Sequence, residues 1–134
     1  MFLSLLDYFG NFYDYADATD ERKENVRLLC DLVNDLLVEA EAHGVDIKTN
    51  WRTKTVVAGE QYGGFRPKDC PIGAPGSAHK QGMGVDIFDP DNALDNYVPD
   101  AILTAHALYR ESPGSTKGWC HLQTRPTKNR TFLP

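Results

Sequence analysis

Two histidines and one aspartate stand in glycine-rich surroundings that suit metal binding. His79 and Asp86 belong to the pattern Ser-x-His-x-x-Gly-x-x-x-Asp that begins at Ser77, and His121 ends the much later run Trp-Cys-His. Two imidazoles and one carboxylate leave the fourth position of a tetrahedral zinc open for water, which is typical of catalytic rather than structural zinc sites. The three residues therefore predict a catalytic zinc centre.

The spacing of the first two candidate ligands indicates how the chain would bring them together. Seven positions separate His79 from Asp86, which on a helix would place them about 10 Å apart along the axis, too far to bind one metal. A loop followed by a returning strand fits better, and Gly82 and Gly84 would permit the close backbone approach that it needs. Without this pattern, a surface salt bridge would be the simpler interpretation of His79 and Asp86. His121 alone would more simply be a partly buried structural histidine.

Hydrophobic spacing predicts an α+β domain in which helices flank a small antiparallel sheet. The predicted helices cover residues 20–43, with Thr19 or Asp20 as N-cap and Gly44 at the end, and residues 97–110. The predicted strands cover residues 45–52, 84–88 and 119–124, and a long glycine- and proline-rich loop covers residues 58–78.

Size, charge and cysteine content limit the class of protein. The 134 residues fit one domain over residues 1–134, and the 41% of hydrophobic residues can form a core without disulfides. The net charge of -5 disfavours sequence-independent binding to nucleic acid. Three widely spaced cysteines, an odd number, predict reduced thiols. No segment is apolar enough for a bilayer span, and residues 1–10 lack the basic start of a signal peptide.

Residues 73–87 resemble the signature of the zinc D-Ala-D-Ala carboxypeptidases and the related peptidoglycan endopeptidases. Residues 119–121, Trp-Cys-His, resemble the second metal motif of that family, and residues 50–52, Asn-Trp-Arg, resemble its Tyr-Arg-Ser segment. The resemblance covers about residues 45–124 and implies the Hedgehog/DD-peptidase fold. The end of the chain looks most like small bacteriophage members of the family.

This resemblance implies roles for individual residues. It implies that His79, Asp86 and His121 bind zinc and that Ser77 supports the site beside the substrate. It also implies that Arg52 holds a carboxylate or carbonyl of the substrate peptide, a task for which a guanidinium fork is suited. An ordinary ion pair on a strand is the alternative for Arg52.

The general base departs from the family pattern. Many relatives carry Glu or Asp three residues before the last zinc histidine, where this chain has Gly118. Glu111, expected just upstream at the end of the second helix, is the first substitute candidate, and Glu60 in the loop is the second. For either one alone, a solvated surface carboxylate is the simpler interpretation. Gln123, two positions after His121 and so on the same strand face, is expected to hydrogen-bond substrate or water.

The resemblance predicts zinc-dependent hydrolysis of a peptide bond in peptidoglycan stem peptides, by a carboxypeptidase or a phage lysin-like endopeptidase. The alternative is an inactive, zinc-containing peptidoglycan-binding or virion structural protein, which Gly118 keeps open. Synthesis in the bacterial cytoplasm and action at the cell wall or in the virion are expected, since no signal peptide is recognised. Passage to the wall would then need a partner, such as a phage membrane-permeabilising protein.

Overall fold

The elements of the fold follow each other in a mixed order of helices and short strands. A computed structural model describes residues 1–74 and 76–134. Within these residues it contains the helices α1 (Leu5–Phe9), α2 (Asp20–Ala42), α3 (Ala93–Tyr97) and α4 (Asp100–Ala105). The strands are β1 (Gly84–Phe88), β2 (Tyr109–Glu111), β3 (Trp119–Gln123) and β4 (Thr131–Phe132). Short 3-10 turns cover Gly10–Phe12, Ala78–Gln81 and Pro113–Ser115. The predicted α+β class is confirmed.

Helix α2 has the bounds and the buried face that its sequence predicts. The Thr19 side chain accepts a hydrogen bond from the Arg22 amide at 3.3 Å, which caps the first turn. Gly44, just past the end of the helix, has a φ of 96°. One apolar stripe faces the core, formed by Val26, Leu29, Cys30, Val33, Leu36, Leu37 and Ala40.

The four strands form a mixed sheet in the order β1-β3-β2-β4. Strand β3 pairs antiparallel with both β1 and β2, and β4 pairs parallel with β2. The prediction of an antiparallel sheet was therefore wrong at one edge. Residues 131–132 carry too short an apolar run to indicate a strand, and they join the sheet through long-range pairing with residues 110–111.

The predicted strand over residues 45–52 is absent. Asn50 instead closes a turn: its amide donates to the Thr55 carbonyl at 2.7 Å, and its side chain donates to the carbonyls of Val57 and Gly59. The alternation of Val45 and Ile47 reflects packing of these side chains against the core rather than pairing in the sheet.

The predicted helix over residues 97–110 is also wrong in extent, because the chain divides there into α3, α4 and β2. Pro99 stands immediately before α4 and has no amide hydrogen with which to continue α3. Ala107 adopts a left-handed φ of 55° after α4, and the chain then enters β2. Glu111 consequently lies on a strand and not at the end of a helix.

The long loop agrees with the sequence prediction. The described part of residues 58–77 contains neither a helix nor a strand, and the first 3-10 turn after it begins at Ala78. Pro75, also part of the predicted loop, lies outside the described residues. The three cysteines are free and buried, as expected.

The N-terminal segment packs on the core beneath this loop. Leu3 and Phe9 are fully buried, and the buried Tyr8 hydroxyl donates to the carbonyl of Gly84 at 2.9 Å and lies 3.3 Å from that of His79. The segment therefore supports the start of β1 and the turn before it. None of the described helices is both long enough and apolar enough to cross a membrane.

Replacing Tyr8 with Phe should lower the free energy of unfolding by about 1–2 kcal/mol, because the buried Gly84 carbonyl loses the hydrogen bond from the Tyr8 hydroxyl. Urea unfolding measures this change. Tyr15→Phe is the matched control, because the side chain of Tyr15 is half exposed, and it should change stability by less than about 0.5 kcal/mol. Equal effects of the two substitutions would contradict the anchoring role of Tyr8.

Candidate metal centre

One row of side chains crosses the whole sheet. Asp86 on β1 lies directly opposite His121 on β3, and Glu111 on β2 lies opposite Phe132 on β4. The pairing of β2 with β3, continued by one residue beyond Arg110, brings Glu111 beside His121. All four side chains line one pocket of about 510 Å³, which we call the metal pocket because it contains the candidate ligands. The sheet thus presents two candidate ligands and a candidate base to the same space.

His79 reaches this pocket from the 3-10 turn before β1. Ser77 caps that turn, with its Oγ accepting a hydrogen bond from the His79 amide at 3.3 Å. Gly82 ends the turn with a φ of 73°, and a side chain there would meet the Arg22 carbonyl on α2. A Cβ on Gly84 would lie 3.1 Å from Cε1 of His121. The two glycines therefore allow the close approach that the spacing predicts.

The three candidate ligands converge on one point. His79 Nε2 lies 3.3 Å from Asp86 Oδ1, and His121 Nδ1 lies 2.8 Å from the same oxygen. One donor atom from each residue falls within 4.8 Å of the others, and both imidazoles are buried. Separations of this size suit three ligands around one small cation.

Contacts behind the two imidazoles determine which nitrogen faces the cluster. His79 Nδ1 lies 2.8 Å from the Gly64 carbonyl, which can only accept, so this nitrogen carries the proton. His121 Nε2 lies 2.7 Å from Oε1 of Gln123, whose amide group donates to the Arg125 carbonyl at 2.8 Å. The remaining nitrogens, His79 Nε2 and His121 Nδ1, are the ones that face Asp86. Such outer contacts orient histidine ligands in zinc proteins, and this donor set fits zinc.

Asp86 is held in its ionised form. Burial alone raises the pKa of this carboxyl, but the charges and hydrogen bonds of His79 and His121 outweigh it and keep the pKa well below the usual range. Arg66 adds a guanidinium nitrogen 3.4 Å from Oδ2. An anionic oxygen is therefore available to a cation at neutral pH.

Glu111, the candidate base, lines the same pocket as the candidate ligands. Burial raises its pKa, His121 and His79 lower it, and Asp86 and Asp95 raise it again, with a net increase. Gly118 stands where the resemblance would place the general base. Its φ is 99°, a backbone conformation that residues other than glycine rarely adopt. The backbone thus disfavours a carboxylate at position 118.

Arg52 and Glu60 lie outside the metal cluster and pair with each other at 3.1 Å. Both are largely solvent-exposed and line an adjoining pocket of about 460 Å³. Arg66, Asp86 and Trp119 line both this pocket and the metal pocket, so the two pockets adjoin each other. The ion pair expected as the alternative for Arg52 is present, and a contact of Arg52 with substrate stays a prediction.

The other predicted substrate contacts have protein partners in the structure. Ser77 lines the metal pocket and binds the His79 amide, whereas both ends of the Gln123 amide are engaged with His121 and Arg125. These contacts position ligands, and contacts of either side chain with substrate stay predictions.

Sequence reasoning missed Arg66 and Gly64. Arg66 pairs with the candidate ligand Asp86, and the Gly64 carbonyl contacts His79 Nδ1. An arginine among glycines and prolines just upstream of His79 was the available signal for the first. The carbonyl of a glycine leaves no signal in a sequence.

The chain matches no protein-family model, and no curated protein or solved structure matches it either.

We expect the protein to bind one zinc ion and Gln123→Leu to weaken that binding about 10- to 100-fold, because the substitution removes the acceptor that orients His121. Competition with a chromophoric chelator measures the dissociation constant. Gln61→Leu, at an exposed position, is the control and should change affinity by less than about threefold. Unchanged affinity in Gln123→Leu would show that Gln123 does not orient His121.

His79→Ala and His121→Ala should abolish zinc binding in the same assay. Full affinity in either alanine variant would remove that histidine from the ligand set.

Proposed function

We propose that this protein is a zinc-dependent peptidase that hydrolyses a peptide bond in the stem peptides of bacterial peptidoglycan. The observation that carries the proposal is the convergence of His79, Asp86, His121 and Glu111 on one open pocket. Three ligands with a fourth position free, beside a carboxylate of raised pKa, suit hydrolysis better than purely structural metal binding. The resemblance of residues 73–87 supplies the substrate class.

The residues divide the chemistry among them. Zinc, when bound, polarises a peptide carbonyl and lowers the pKa of water. Glu111 accepts the proton of the attacking water and later donates it to the leaving amine, roles that its raised pKa favours. Asp86 and the two histidines hold the cation, and the Gly64 carbonyl and the Gln123 amide keep both imidazoles oriented.

Positive charge beside the centre favours a substrate with acidic groups. Arg66 lines both pockets, and the exposed Arg52 lines the adjoining one. Stem peptides carry free carboxylates, for which guanidinium groups are well-suited partners. We assign Arg66 to contacts near the reacting carbonyl and Arg52 to contacts farther along the peptide.

The experiment is mass spectrometry of purified muropeptides after incubation with the zinc-loaded protein, with a chelator-treated sample in parallel. We expect fragments that the chelator suppresses, and their masses identify the bond. Glu111→Gln should lower kcat/KM about 10²- to 10⁴-fold, because the amide cannot accept the proton, while zinc affinity stays within about threefold.

Glu60→Gln is the matched control, because Glu60 is the exposed partner of Arg52 and should alter kcat/KM by less than about tenfold. A larger loss in Glu60→Gln than in Glu111→Gln would move the base to Glu60. Protein that holds zinc but yields no fragments would favour the non-hydrolytic alternative, a peptidoglycan-binding or virion protein.

A further inference from the structure

Lys80 is a charged residue buried directly beside a candidate metal ligand. Only 8% of its surface is exposed. Its ammonium group donates to two backbone carbonyls, those of Lys68 at 3.2 Å and Cys70 at 3.3 Å. Among residues 1–74 and 76–134 no carboxylate pairs with it. Burial of a lysine without an ion pair is unfavourable, so the burial of Lys80 requires an explanation.

The two carbonyls belong to the segment that walls both pockets. We call residues 68–74 the wall segment. Ile72 lines the adjoining pocket, and Gly73 and Ala74 line the metal pocket. A Cβ on Gly73 would lie 2.8 Å from Nη1 of Arg66, so the segment also packs closely on the arginine beside Asp86.

Few other contacts fix the wall segment. The Lys68 amide donates to the Asp17 carboxylate at 2.6 Å, and the Cys70 amide donates to the Pro67 carbonyl within a turn. The carbonyl of the exposed Ala74 accepts a hydrogen bond from the Ser77 amide at 3.0 Å. The Asp17 contact is exposed, and exposed contacts contribute little stability. Lys80 therefore supplies the buried attachment between the wall segment and the 3-10 turn that carries His79.

We propose that Lys80 is a positioning residue, whose buried ammonium holds the wall segment in place and so sets how tightly the cleft binds its peptide. The inference about peptide binding rests on the proposed peptidase function, whereas the attachment of the wall segment does not. The metal ligands have their own supporting contacts, so loss of Lys80 loosens one side of the cleft and leaves the cation site intact.

The test compares Lys80→Met, which keeps the length of the side chain but removes its donors, with Lys128→Met at an exposed position. Hydrogen exchange in the wall segment should accelerate at least about tenfold in Lys80→Met, with β1 and β3 unchanged. Zinc affinity should stay within about threefold of wild type. For muropeptides, KM should rise about tenfold while kcat changes less than about twofold.

Lys80→Arg keeps the charge and the donors and should retain wild-type exchange, which separates loss of the contact from loss of folding. Unaltered exchange of the wall segment in Lys80→Met would overturn the inference whether or not the protein cleaves peptides. Loss of zinc in Lys80→Met, or a fall in kcat at constant KM, would also overturn it. If the wild type cleaves no muropeptide, the proposed function fails while the exchange data still decide the attachment.

Discussion

The antiparallel pairing of β1 with β3 fixes the position of Asp86 relative to His121, and the other parts of the site are arranged around this pair. Adjacent residues of a strand point to opposite faces, so a shift of one residue would turn one of the two side chains away from the pocket. The same central strand pairs with β2 on its other side, which brings Glu111 into the row. Ligand and base positions thus both depend on the register of β3.

The buried carboxylate of Asp86 is stabilised by the partners that surround it. Asp86 lies against two imidazoles and Arg66, and each imidazole has a second acceptor on its far side, the Gly64 carbonyl or the Gln123 amide. Burial of an ionised carboxylate without such partners would be strongly unfavourable. The contacts that offset the cost of burying this carboxylate also orient the donor atoms of the cluster toward one point.

The sequence predicted the elements whose signals are local and missed those that depend on distant pairing. Helix α2 has a cap and a continuous apolar stripe. Residues 77–86 contain a turn, two glycines and two candidate ligands within ten positions. Strand β4 is two residues long, and only its contact with β2 defines it. The residues that suggested one helix over 97–110 divide among α3, α4 and β2, and Ala107 has a left-handed φ of 55° between the last two.

The most direct test of the account is anomalous diffraction at the zinc edge from crystals of the zinc-loaded protein. We expect one strong peak bound by Nε2 of His79, Nδ1 of His121 and a carboxylate oxygen of Asp86, facing the pocket that Glu111 lines. The absence of a peak there from protein that holds zinc, or coordination through His121 Nε2, would rule out this metal centre.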